Sequence, residues 1–114
     1  MVLNPIFFDL NRSNIKPQAA FELDKLVAIM KKYPNMVIKV EAHTDSRGND
    51  QSNLELSERR AQSTVQYVIS KGIDASMISG EGMGETSPKI NCGNNCTEEQ
   101  HSKNRRSEFI IVER

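Results

Sequence analysis

The ten residues "EAHTDSRGND", Glu41 to Asp50, follow the apolar stretch "MVIKV" and crowd His43, Thr44, Asp45, Ser46, Arg47 and Asp50 where a strand should end. Such a cluster either makes a turn or faces a ligand. Asp-Ser-Arg-Gly is good turn chemistry, because a short carboxylate bonds nearby main-chain N–H groups and glycine permits the bend. Further along, Asn53, Leu56 and Arg60 recur at i, i+3 and i+7, which places them along one helical face. A helix returning through a short loop can bring Arg60 back toward Asp45. A carboxylate and a guanidinium so placed could accept an ammonium and grip a carboxylate with two parallel N–H bonds. The same two residues could instead form an ion pair with no ligand, and Arg60 alone could be a solvated helix residue. Asp9 closes the first apolar run, and Arg105 and Arg106 precede the last one. Ligands of open α/β sheets tend to sit beyond the carboxyl ends of the strands, where Asp9, Thr44 and Asp45 fall.

The elements that must position these groups are readable from periodicity. Pro5 to Asp9, "PIFFD", is a short apolar run suited to a strand. Pro17 suits a first helical turn, where its missing N–H costs nothing. Ala19, Ala20, Leu23, Leu26, Val27 and Met30 then recur at helical spacing up to "KKYP", where Pro34 disfavours helix for the residue before it. From Met36 the period becomes two. Met36, Ile38, Val40 and Ala42 share one strand face, and Val37, Lys39, Glu41 and His43 share the other. His43 is accordingly expected to be partly exposed. A second helix is predicted from about Asp50 to Lys71, opened by a Ser52/Glu55 capping box. Its core stripe is Leu54, Ala61, Val65, Val68 and Ile69, and Gly72 closes it. A third strand around Ser76 to Met83 leads into "GMGETSPKINCGNNC", which is turn and loop material. "TEEQHSKN" suits a short helical segment. In "RRSEFIIVER" the alternation of Phe109 and Ile111 with Glu108 and Ile110 predicts a last strand. The order β-α-β-α-β-loop-β implies an α/β two-layer sandwich, a mixed four-stranded sheet with helices packed on one face.

The totals narrow the function classes. A chain of 114 residues is the size of one domain, residues 1–114, and buries roughly 65% of its unfolded surface. Fifteen basic and fifteen acidic residues cancel, so no bulk field draws the chain to nucleic acid or anionic lipid. No run of 18 apolar residues is present, and "MVLNPIFFDLN" lacks the regions of a secretory signal. The chain therefore reads as either a cytosolic protein or a domain excised from a longer exported one. Catalysis lacks a supporting set. His43 and Asp45 form an H-x-D pair and Ser57 is a possible nucleophile, but neither HExxH nor G-x-S-x-G occurs. No enzyme activity and no cofactor are expected.

The motifs resemble a known family. "HTDSRGND QSNLELSERRA", with "GEGMGE" and "NRRSEF" after it, is similar to the OmpA-like C-terminal domain, which includes peptidoglycan-associated lipoproteins and flagellar stator domains. Its pattern is matched in order by Thr44, Asp45, Gly48, Asn53, Leu56, Ser57, Arg60, Ala61, Gly82, Gly84, Glu85, Asn104, Arg105 and Arg106. "FFDLNRSNIKP" resembles the family's first strand and loop. The resemblance implies non-covalent binding of peptidoglycan through the diaminopimelate residue of its stem peptide, tethering an outer membrane to the cell wall. It implies Asp45 and Arg60 as the principal pair, lined by Asp9, Thr44, Asn53, Leu56 and Arg105. It also implies a periplasmic location, with membrane attachment only through other parts of a parent protein. The rival is a protein-interaction module of the envelope that does not touch peptidoglycan itself.

Cys92 and Cys96 bracket "GNN" in the longest loop. A disulfide there suits an oxidising compartment, and closing so small a ring contributes at most ~2 kcal/mol. Some members of the resembled family carry a cysteine pair in this loop, which supports the bridge. Two free thiols, or a metal held by Cys92, Cys96 and His101, are the alternatives; three ligands fall short of a structural zinc site.

Overall fold

A computed structural model of the chain describes residues 3–10, 12–45, 49–84 and 96–113. In chain order these form β1 (Ile6–Phe7), α1 (Pro17–Lys32), β2 (Val37–Ala42), α2 (Asp50–Ser70), a 3-10 turn (Ala75–Met77), β3 (Ile78–Gly82), α3 (Glu98–Asn104) and β4 (Arg106–Glu113). The strands make one mixed sheet in the order β1-β4-β2-β3. β2 and β3 are parallel, joined through α2, while β4 runs antiparallel to both β2 and β1. A parallel pair needs such a long crossover, and α2 provides it.

The alternation expected in β2 is present. Met36, Ile38, Val40 and Ala42 are buried, and the face bearing Lys39 and Glu41 is only partly covered. Lys39 reaches Glu81 of β3 at 2.8 Å across that open face. Against the buried face lie Leu23, Leu26, Val27 and Met30 of α1 and Val65 and Val68 of α2, in one apolar cluster with Ile6, Phe8 and Ile78. The two lysines that end α1, Lys31 and Lys32, sit in its last turn, where the helix dipole favours cations.

Two local expectations for α2 need correction. The cap is Asn49, whose side chain accepts from the Ser52 amide at 2.7 Å, so Ser52 is the third helical residue and the Ser52/Glu55 box is not the cap. Leu54, expected in the core stripe, is 38% exposed. The first turn of α2 lies over Gly84, past the end of β3, and the buried stripe begins at Asn53, Leu56 and Ser57 instead. β3 lies close against this helix. A Cβ at Gly82 would stand 2.5 Å from the Glu58 main-chain nitrogen and 2.6 Å from Ser57 Oγ, so only glycine allows the approach. Ser57 Oγ in turn accepts from the Gly84 amide at 2.8 Å. At the far end of α2, Gly72 has a φ of +102°, the left-handed conformation that closes a helix.

Candidate functional site

Because β1, β2 and β3 run one way and β4 the other, the ends of three strands and the start of the fourth gather at one edge of the sheet. Pairing continues past the regular strands there. The amides of Phe8 and His43 donate to the carbonyls of Arg105 and Arg106, and the Thr44 amide donates to Gly84. Residues 8–10, 43–45, 83–84 and 104–106 are thereby held side by side. This edge carries most of the buried polar side chains, including Thr44, Asp45, Asn53, Arg60, Asn104 and Arg105.

Arg60 is wholly buried and is the largest side chain so enclosed. Its guanidinium donates to three main-chain carbonyls: Nε to Arg12 at 2.9 Å, Nη1 to His43 at 3.0 Å and Nη2 to Asp9 at 2.9 Å. It also lies 5.1 Å from the centre of the Phe8 ring, close enough for a cation–π attraction. Burial, and after it the like charge of Arg105, push its pKa down to about 10, while Asp45 opposes the shift. It stays charged at neutral pH. A guanidinium carries five N–H groups, so two remain after the three carbonyls.

Among the described residues, the guanidinium that reaches the Asp45 carboxylate is that of Arg105. Its Nη1 lies 3.4 Å from Asp45 Oδ2 and 3.0 Å from Glu98 Oε1, and its Nε donates to the Phe8 carbonyl at 2.9 Å. Asp45 is almost fully enclosed, whereas the Glu98 side chain is 63% exposed. Asp45 therefore lies inside and Glu98 at the rim. Asn53 Nδ2 points to the Asp45 carbonyl at 3.5 Å.

Thr44, Asp45, Asn53, Leu56, Arg60 and Arg105, with Leu10, line one small cavity of about 10 Å³. That is room for about one water molecule. Thr44 Oγ1 is buried and has no hydrogen-bond partner among the described residues. A groove of about 780 Å³ lies between β1 and α1, lined in part by Pro5, Phe7, Pro17 and Phe21. It is larger, but the buried opposite charges converge only on the small cavity among the described grooves.

The predicted residues do not all play the expected part. Asp9 enters through its carbonyl; its carboxylate is exposed and turned to Lys16 at 3.0 Å. His43, expected to be partly exposed, is 3% exposed, and neither ring nitrogen has a partner among the described residues. The face shared with Lys39 and Glu41 is open along β2 but closes at its end, beside the buried Arg106. Glu98 and Leu10 were missed. Glu98 reads as an ordinary first-turn acid of a short helix; its i, i+7 spacing to Arg105, the residue that closes that helix, is the signal that could have found it. Ser46, Arg47, Gly48, Glu85 and Cys92 lie outside the described residues, and the expected Cys92–Cys96 bridge with them. Among the described residues no group of three or more His, Cys, Asp or Glu is placed to hold a metal ion.

The comparison with known families decides the lineage. The OmpA family model matches residues 7–105. The chain belongs to the OmpA family. Among curated relatives, it is 34% identical over 108 residues to "Probable lipoprotein YiaD" of Escherichia coli, covering 95% of this chain and 48% of the relative. It is 39% identical over 106 residues to "Outer membrane protein A" of Bordetella avium, covering 93% and 53%. This OmpA-family chain thus spans about half the length of these relatives. Among solved structures, the peptidoglycan-associated lipoprotein from Burkholderia pseudomallei superposes with a TM-score of 0.86 at 21% identity, covering 94% of this chain and 88% of that one. The α/β sandwich with its mixed four-stranded sheet is the fold they share.

Proposed function

We propose that this OmpA-family domain binds peptidoglycan non-covalently, through the zwitterionic end of the diaminopimelate residue in the stem peptide, and cleaves nothing. The observation that carries the proposal is the cavity. It gathers a buried carboxylate, two buried guanidinium groups and a hydroxyl with no partner among the described residues within one enclosure. An α-amino-acid head presents an ammonium and a carboxylate a few ångströms apart. Asp45 takes the ammonium, and the two remaining N–H groups of Arg60 take the carboxylate. Thr44 supplies a further hydroxyl, Arg105 balances the charge of Asp45, and Asn53 and Leu56 shape the wall. Asp9 contributes by orienting Arg60 rather than by its charge. The cavity has room for about one water molecule, so binding of the ligand head requires its lining side chains to rearrange.

The name of the Burkholderia lipoprotein supports peptidoglycan as the partner, and that of the Bordetella relative supports an outer-membrane setting. On this reading the domain works in the periplasm as one unit of a longer exported protein, and other parts of that protein tether the outer membrane to the wall. A Cys92–Cys96 disulfide belongs to the same reading; mass spectrometry of the alkylated protein with and without reductant tests it, and identical masses would discard it. No single contact must be strong, because a polymer offers many copies of the ligand.

Calorimetric titration with two stem peptides, identical except for diaminopimelate or lysine at one position, tests the central claim. Lysine lacks the distal carboxylate, which leaves Arg60 without its partner. Binding of diaminopimelate with far weaker binding of lysine is expected; equal affinity for both would overturn the roles of Asp45 and Arg60.

A further inference from the structure

The geometry points to Glu98 as a positioning residue that holds Arg105 partly away from Asp45, so that the Asp45 carboxylate keeps capacity for the ammonium of the ligand. This rests on the proposed reading of the cavity. Two carboxylates share one Arg105 nitrogen: Nη1 is 3.0 Å from Glu98 Oε1 and 3.4 Å from Asp45 Oδ2. The shorter contact goes to the acid at the rim, and the longer one to the acid inside. Were Arg105 to close fully on Asp45, a cation would already occupy the place of the ligand's ammonium. Arg105 is also fixed at its other end, where Nε bonds the Phe8 carbonyl, so its Nη groups have a short arc to move through. Glu98 sits at the rim end of that arc. α3 begins with a complete capping box, in which the Thr97 side chain accepts from the Gln100 amide and the Gln100 side chain accepts from the Thr97 amide. That box orients the first residue of the helix, Glu98, toward Arg105 and does not use the Glu98 carboxylate.

Pairing with an acid that is largely in solvent is weak, and this suits the role. A strong rim pair would lock Arg105 away from Asp45 altogether and take a balancing charge from the buried acid. A weak one shares it, and ligand binding shifts the balance.

The test compares Glu98→Gln with Glu99→Gln, which removes a neighbouring charge from the same first turn and so controls for the helix dipole. Calorimetry with stem peptides that carry at one position either diaminopimelate or 2-aminopimelate, the latter joined through its amino group and neighbouring carboxyl so that only the distal carboxylate is free, reads the effect. Glu98→Gln is expected to weaken diaminopimelate by about threefold to fivefold, the size of an interaction with a mostly exposed charge, and to leave 2-aminopimelate unchanged or slightly tighter. Glu99→Gln should change neither. Equal loss for both ligands, or loss in both variants, would overturn the role. A crystal structure of ligand-free Glu98→Gln gives an independent reading: Arg105 Nη1 should move inside the present 3.4 Å from Asp45 Oδ2. An unmoved Arg105 would overturn the proposal. Should the unsubstituted chain bind neither compound, the cavity reading fails, while that structure still decides what Glu98 does for Arg105.

Discussion

Leu23 and Arg60 are equally shielded from solvent, yet they are buried by different physics. Leu23 belongs to the apolar layer between α1, α2 and β2, where what matters is area removed from water and the absence of voids. Arg60 belongs to the sheet edge, where an enclosed polar group costs free energy unless it is hydrogen-bonded. The apolar layer tolerates exchange of one aliphatic side chain for another of similar volume. At the edge no such exchange exists, because removing one group strands several others. The domain thus concentrates its replaceable parts in one half and its irreplaceable ones in the other.

The largest expected effect sharpens that contrast. Arg60→Ala empties a large buried site and leaves the carbonyls of Asp9, Arg12 and His43 without their donor. A loss of about 3–5 kcal/mol in urea unfolding is expected, as for breaking a buried ionic network. A loss below about 1 kcal/mol would show that water replaces the guanidinium and that the edge is less demanding than argued. Leu23→Ala should cost about 2–5 kcal/mol, yet leave the ratio of diaminopimelate to lysine affinity unchanged in the folded fraction; a changed ratio would mean that the two halves are coupled. Asp45→Asn reverses the pattern. It keeps the shape and removes the charge, so binding of diaminopimelate should fall about tenfold, as for one hydrogen bond to a charged group, while the far-ultraviolet spectrum stays unaltered. Undiminished binding would remove Asp45 from the site.

The smallest effect concerns pH. Burial first, and then the positive charge of Arg106, hold the His43 imidazole below its usual pKa, with Glu108 and Glu41 acting the other way. The unfolded chain therefore takes up the proton first, at about pH 6.5. The stability tied to neutral His43 is complete above that pH and is lost as pH falls toward the depressed folded value. In urea titrations between pH 7.5 and 5.5, His43→Phe should show a flatter decline than the unsubstituted chain. Parallel declines would show that His43 is not the group responsible.

What could be read from the sequence follows the same division. The apolar half was legible because area and period are properties of the string: Leu23, Leu26, Met30, Ile38 and Val40 announce their faces by spacing alone. Most of the cavity's lining, though not Leu10, was also legible, through separated motifs that resemble one family and that the sheet brings together. The wiring inside the cavity was not. Nothing in the order of residues says that Arg60 spends three donors on main-chain carbonyls, or that Arg105 rather than Arg60 reaches Asp45 with Nη1. Such choices depend on ångström-scale placement between segments far apart in the chain. His43 shows the limit of periodicity in another way. Its alternation predicts the face correctly, but not that the face closes over it at the strand end.

One consequence of the Arg60 clamp concerns how such domains should be sorted. The guanidinium staples two stretches of backbone, the turn that holds residues 9 and 12 and the strand end at residue 43, to its own helix. A descendant that abandoned its wall-binding task would still be obliged to retain it in order to fold. Surveys that count this arginine would therefore tally intact scaffolds, whereas on the proposed reading the acid at position 45 is the letter to count for binding.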